Sequence, residues 1–115
     1  MQIQPITNQP NFNGKLVFEQ GVTNGLTNVK YGQLLRKFKD VATIVSAKPY
    51  DIFVMKDSQS GDFYRMAANK SIEAAKNIKE YSVKVKSNAM VDSFVSAALD
   101  AIDMYEKYMS KNLKG

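Results

Sequence analysis

Few residues in this 115-residue chain could do chemistry, because it contains no histidine and no cysteine. Without them there is no imidazole base, no thiol nucleophile, no disulfide framework and no cysteine-based zinc site. Asp100 and Asp103 are three residues apart in a helical pattern and could offer oxygens to a hard cation, but the sequence identifies no third ligand beside them. The pair fits a solvated acidic face better, and we expect no metal and no other cofactor.

Other catalytic patterns are also missing from the sequence. A glycosidase-type acid and base must face each other across a cleft, which two exposed helix carboxylates do not supply. The phosphate-binding pattern GxxxxGK[ST] does not occur, since Gly25 is followed by Leu26. Every lysine has polar neighbours, so none stands out as a buried amine nucleophile. The sequence therefore favours a non-enzymatic role.

The positive charge is concentrated in two segments. The formal net charge is +5, with +4 carried by residues 30–48 and +3 by residues 70–86. If both segments lay on one surface, they could contact the phosphates of a nucleic acid. The residues that would do so are Lys30, Arg36, Lys37, Lys39, Lys84 and Lys86. Because lysines are ordinary on the wet side of amphipathic helices, nucleic-acid binding is the alternative function and not the leading one.

The aromatic residues do not strengthen the nucleic-acid hypothesis. A strand-helix-strand-strand order invites comparison with RNA-recognition motifs, but Asp62 lies where that pattern requires a cation. Phe18, Phe53 and Phe63 are better explained as core or sheet-packing residues, since aromatics dominate small cores.

The first half of the chain predicts one strand and one long helix. Residues 14–20 alternate in polarity as a half-buried strand does, and residues 21–28 are rich in turn formers. Thr27 or Asn28 can cap the following helix, which Pro49 ends. Its apolar stripe consists of Tyr31, Leu34, Leu35, Phe38, Val41, Ala42 and Val45.

The second half predicts a hairpin and two further helices. The β-rich runs 50–57 and 62–68 are separated by the turn formers of residues 58–61. Ser71 can cap a short helix. Residues 81–86 fit both a helical and an alternating pattern, and we favour an extended segment because two positions are β-branched. A long amphipathic helix follows, capped by Ser87 or Asn88, with its acids first and its bases last as the helix dipole favours.

These elements predict an α+β fold. The expected order is strand, helix, hairpin, short helix, a short strand and a long C-terminal helix, with a small, mainly antiparallel sheet and the helices packed on one face. Residues 14–115 would form a single domain, and residues 1–13 a flexible polar tail. No apolar run approaches the roughly 20 residues that span a bilayer. The first residues do not resemble a secretory signal, so we take the cytoplasm as the default location.

The leading functional hypothesis is a protein-interaction module. Near the end of the long helix, Met104, Tyr105, Tyr108 and Met109 lie close together, and methionine and tyrosine are adaptable interface residues. They could meet an unknown protein partner or a second copy of the chain. The same four side chains could equally close the monomer's own core.

A short opening motif carries a family resemblance. The run Pro10-Asn11-Phe12-Asn13-Gly14, followed by an apolar strand and by a hairpin that leads into capped helices, resembles small proteins of host-associated gut bacteria. The resemblance implies a bacterial accessory or interaction protein, and it carries no activity with it.

Overall fold

The computed structural model describes residues 13–57, 61–77 and 81–114, and in these residues the chain forms four strands and five helices. In chain order the elements are β1 (Leu16–Phe18), α1 (Gln20–Gly25), α2 (Asn28–Lys37), α3 (Lys39–Ser46), β2 (Asp51–Lys56), β3 (Phe63–Asn69), α4 (Ile72–Asn77), β4 (Ser82–Lys86) and α5 (Val91–Lys114). The predicted α+β class is confirmed. The first twelve residues of the predicted tail and residues 58–60 of the predicted turn lie outside the described residues.

The four strands form one mixed sheet in the order β1-β2-β3-β4. Strand β1 runs parallel to β2, with Val17 opposite Phe53. The other two pairings are antiparallel, and they place Met55 opposite Arg65 and Arg65 opposite Lys84. Because side chains alternate along a strand, this register sends Met55, Arg65 and Lys84 to one face of the sheet.

The helical segment α2–α3 and helix α5 cover the face of the sheet that carries Val54 and Met66, as their apolar stripes predict. Leu34, Phe38 and Phe94 are each 1% exposed and pack with Val54 and Met66 of the sheet in the main core. Short α4 departs from the expected packing of the helices on one face: it lies on the opposite face, where Ala75 joins a second cluster with Phe53, Met55 and Ala67. The face that carries Arg65 and Lys84 is therefore covered only in part.

Three boundaries differ from the sequence-based expectations. Residues 21–28 are not one turn, because Gln20–Gly25 forms a short helix that Val22, fully buried, anchors to the core. The predicted single helix of the first half is interrupted at Phe38, which separates α2 from α3. The side chain of Phe38 is buried in the core. Helix α5 begins at Val91 and not directly after Ser87 or Asn88, since residues 87–89 form a turn that precedes it.

Several local predictions are confirmed. The amide of Lys30 donates to the Thr27 hydroxyl at 3.1 Å, and the amide of Ala74 donates to the Ser71 hydroxyl at 3.2 Å, so both residues cap as expected. Residues 82–86 form β4, the extended alternative. In the described part of the chain, no helix has the length and apolarity required to cross a membrane.

Candidate functional site

An open groove lies between helix α2 and the amino end of α5, and we call it the α2–α5 groove. Its volume is about 640 Å³. The residues that line it are Lys30, Gln33, Arg36, Lys37, Asn88, Ala89, Met90, Val91 and Asp92. Three of the six predicted basic residues thus meet here, opposite a single carboxylate. The amino end of α5 adds the partial positive charge of the helix dipole.

Lys30 builds one wall of the groove. Its ammonium group donates to the carbonyl oxygens of Ser87 at 3.2 Å and Ala89 at 2.9 Å. It also lies 5.0 Å from the centre of the Phe94 ring, a cation–π distance. Lys30 therefore ties the turn before α5 to α2.

Arg36 and Lys37 supply the accessible charge. Both side chains are exposed. Nζ of Lys37 lies 3.7 Å from Oδ1 of Asp92. Because 62% and 78% of these side chains are exposed, solvent screens the pair. No carboxylate of the described residues lies within ion-pair distance of Arg36. These two cations are available to a ligand.

Met90 is the apolar feature of the groove. It is 77% exposed, and Val29, one helical turn before Gln33 on α2, is 72% exposed. Sequence reasoning missed Met90 because it precedes the apolar stripe of α5 and belongs to no periodic pattern. The signal available was a large apolar residue between a turn and a helix start, outside any core face.

The groove is lined by charged and polar groups without a catalytic pair. Its polar groups are the three cations, the Asp92 carboxylate and the amides of Gln33 and Asn88, with no nucleophile and base side by side. Among the described residues, no group of three or more carboxylates is arranged to hold a metal ion. Asp100 and Asp103 are both exposed on α5. A ligand of opposite charge with an apolar side chain for Met90 suits this lining.

The other predicted basic residues lie elsewhere. Lys39 lines a different groove, beside β1. Lys84 lies on the opposite face of the sheet, with its ammonium 5.2 Å from the centre of the Phe63 ring, and Lys86 shares that side of β4. The structure therefore brings Lys30, Arg36 and Lys37 together and leaves Lys39, Lys84 and Lys86 apart from them.

The predicted interaction cluster near the end of α5 contributes largely to the monomer's own packing. Tyr105 is 4% exposed, and its ring meets the Tyr50 ring edge-on at a centroid distance of 4.8 Å. The ring centroid of Tyr108 lies 4.0 Å from that of Tyr81, Met109 is half-buried against the core, and Met104 is half-buried. A role for these four residues in binding a partner stays a prediction.

A polar contact fixes the loop before β2 to the same part of α5. The Tyr50 hydroxyl donates to a carboxylate oxygen of Glu106 at 2.6 Å, and Lys48 lies 2.6 Å from that oxygen. Hydrogen bonds from Lys48 and then Tyr50 hold the pKa of Glu106 below its usual value. Burial, followed by the hydrogen bond to Glu106, raises the pKa of Tyr50 well above its usual value. Both shifts keep Tyr50 neutral and Glu106 charged at neutral pH.

A buried ion pair lies on the face of the sheet that carries Arg65 and Lys84. The Arg65 guanidinium lies 2.7 Å from Oδ1 of Asp57, and the exposed fractions of these side chains are 12% and 0%. Arg65 also donates to the Ser82 hydroxyl. Oδ2 of Asp57 accepts no hydrogen bond in the described part of the chain and has the Lys84 ammonium 3.5 Å away. Asp57 therefore joins β2, β3 and β4 electrostatically.

The Asp57 carboxylate should make stability fall at acid pH. The hydrogen bond from Arg65 outweighs burial and holds the pKa of Asp57 below its usual value. A lowered folded-state pKa contributes stability above the unfolded value of about 3.9, and this is lost as pH falls through the lower pKa. Urea unfolding between pH 7 and pH 2 should show that loss, and D57N should be less stable at pH 7 with a flatter acid limb. Parallel acid limbs for both proteins would contradict the assignment.

Comparison with known proteins does not classify the chain: no protein-family model, no curated protein and no solved structure matches it.

Proposed function

We propose that this protein is a non-enzymatic interaction module that binds an acidic segment of a partner protein in the α2–α5 groove. The observation that carries the proposal is the exposure of Met90, at 77%, beside the accessible cations Arg36 and Lys37. An exposed methionine is an adaptable contact for apolar side chains, and arginine is enriched at interfaces. A partner segment with carboxylates around one large apolar residue complements this lining.

The charges of the groove favour an acidic partner for a physical reason. Complementary potentials raise association rates and reject partners of like charge. Lys30 keeps its ammonium at the groove wall through two backbone carbonyls, so this cation is held in place before a ligand arrives. A site that is already ordered loses less entropy on binding.

Charge reversal in the groove should weaken binding of an acidic peptide. The probe is a fluorescein-labelled synthetic peptide with leucines at helical spacing and glutamates elsewhere, and the readout is fluorescence anisotropy. The double variant R36E/K37E should raise the dissociation constant about tenfold or more, which corresponds to about 1.4 kcal/mol. The effect should shrink as the salt concentration rises.

A matched variant controls for net charge. K107E/K111E makes the same change at two exposed lysines near the other end of α5, which lie about 22 Å and about 28 Å along the helix from Asp92 at the helical rise per residue. It should bind the peptide nearly as the wild type does. Equal losses in the two double variants, or equal binding of a peptide with glutamine in place of glutamate, would overturn the proposal.

Nucleic-acid binding is the second candidate, and the meeting of Lys30, Arg36 and Lys37 in one groove is the observation in its favour. It predicts salt-sensitive retention of a labelled oligothymidylate or of a DNA duplex, lost in R36E/K37E. Binding to the oligonucleotide without binding to the acidic peptide would replace the proposed function with this one.

A further inference from the structure

Within residues 13–57, 61–77 and 81–114, strand β1 forms one edge of the sheet, and its outer hydrogen-bonding groups face no neighbouring strand. The amide of Ile52 donates to the carbonyl oxygen of Lys15 at 2.9 Å, and the amide of Glu19 donates to that of Val54 at 2.9 Å. Since backbone direction alternates along a strand, the peptide groups of Leu16 and Phe18 point away from β2. Among the described residues, these outward groups have no backbone hydrogen-bond partner.

The two edges of the sheet differ in how they are protected. Strand β4 carries lysine at two of its five positions, the usual charged protection of an edge. The three residues of β1 are leucine, valine and phenylalanine. An apolar edge without such protection is a template for another strand.

A groove runs along β1 on the side of helices α2 and α3, and we call it the β1 groove. Its volume is about 560 Å³, within the usual size range of ligand sites. Its apolar lining is Leu16, Phe18, Tyr31, Leu35, Phe38 and Ala42. Leu35 is 46% exposed there. The Phe18 ring is held between Tyr31, edge-on at 5.5 Å, and Phe38, stacked at 5.9 Å, so the floor is ordered.

We propose that an extended acidic peptide of a partner protein adds to β1 as a fifth strand and places alternate apolar side chains in the β1 groove. Only an extended chain satisfies the outward groups of Leu16 and Phe18, and alternate side chains of such a strand would face the groove and Leu35. The charged residues that line the groove are Lys15 and Lys39, with no carboxylate. This charge favours a peptide of net negative charge, because attraction to the two lysines does not require the carboxylates of the peptide to point into the groove.

The test uses a labelled synthetic peptide with valine at alternate positions and glutamate or threonine between them. Wild-type protein should bind it, and L35E should weaken binding about tenfold or more by adding a like charge and removing apolar surface. L99E is the matched control, since Leu99 is 42% exposed on α5 and does not line the groove. Amide hydrogen exchange should slow at Leu16 and Phe18 when the peptide is bound.

Several outcomes would overturn this proposal. These are no binding, binding that leaves both amides unprotected, equal binding by L35E and the wild type, and protection of the same amides by a dimer of the chain without peptide. The experiment is independent of the α2–α5 groove. In the R36E/K37E variant, binding of this peptide should still slow amide exchange at Leu16 and Phe18. Failure of one proposal can therefore be told from failure of the other.

Discussion

Replacing Arg65 with methionine is expected to lower the free energy of unfolding by about 3 kcal/mol, because it leaves a buried carboxylate without its main partner. Arg65 is 12% exposed and is the only residue of the described chain that donates a hydrogen bond to the Asp57 carboxylate. Methionine has a similar length and no charge, so the loss would arise from the ion pair and not from a large cavity. Urea unfolding followed by circular dichroism measures it.

Two controls isolate the cause of that loss. K84M removes the other cation near Asp57, but Lys84 is 45% exposed, and we expect a cost of less than about 1 kcal/mol. The double variant D57N/R65M should be more stable than R65M, since the uncompensated charge is gone. If R65M and K84M cost the same, the carboxylate is not buried as described.

Replacing Gly14 with alanine is expected to cost about 3 kcal/mol, since the added methyl group would collide with fixed backbone. A β-carbon at Gly14 would lie 2.2 Å from the carbonyl oxygens of both Tyr50 and Val45. The amide of Gly14 also donates to the carbonyl oxygen of Lys48 at 3.1 Å. This hydrogen bond holds Gly14 close to the α3–β2 connection. Relief of the collision would move β1 away from β2.

Gly61 offers the matched control for Gly14. Among the described residues, no heavy atom beyond its immediate chain neighbours lies within 4 Å of a β-carbon placed at Gly61. G61A should therefore change the free energy of unfolding by no more than about 0.5 kcal/mol. A thermal melt that gives G14A and G61A the same midpoint would contradict the close packing of Gly14 against the α3–β2 connection.

Much of the fold follows from patterns within single segments. The alternation around Leu16 and Phe18 identifies β1, and the stripe through Leu34, Phe38 and Val41 identifies the helical segment that covers the sheet. Thr27 caps as its position predicts, because capping depends on a few neighbouring residues. These features depend on neighbouring residues, so they can be predicted from the sequence of one segment.

The missed features depend on contacts between distant residues. The interruption at Phe38 and the short helix around Val22 depend on core packing. The periodicity of apolar residues within one segment does not predict such packing. The α2–α5 groove requires Lys30 to reach carbonyl groups 57 and 59 residues away. The sequence suggested the basic residues of this groove, but not which of them meet, nor that Met90 lies beside them.

The methionine methyl groups allow the most direct test of the central claim, that the α2–α5 groove binds an acidic segment. With carbon-13 in the methyl groups of its six methionines, the protein is titrated with the leucine–glutamate peptide and followed by NMR. We predict that the Met90 signal moves with peptide concentration while those of Met104 and Met109, near the far end of α5, stay in place. Movement of Met104 and Met109 with a stationary Met90 would contradict the account and place the partner at the end of α5.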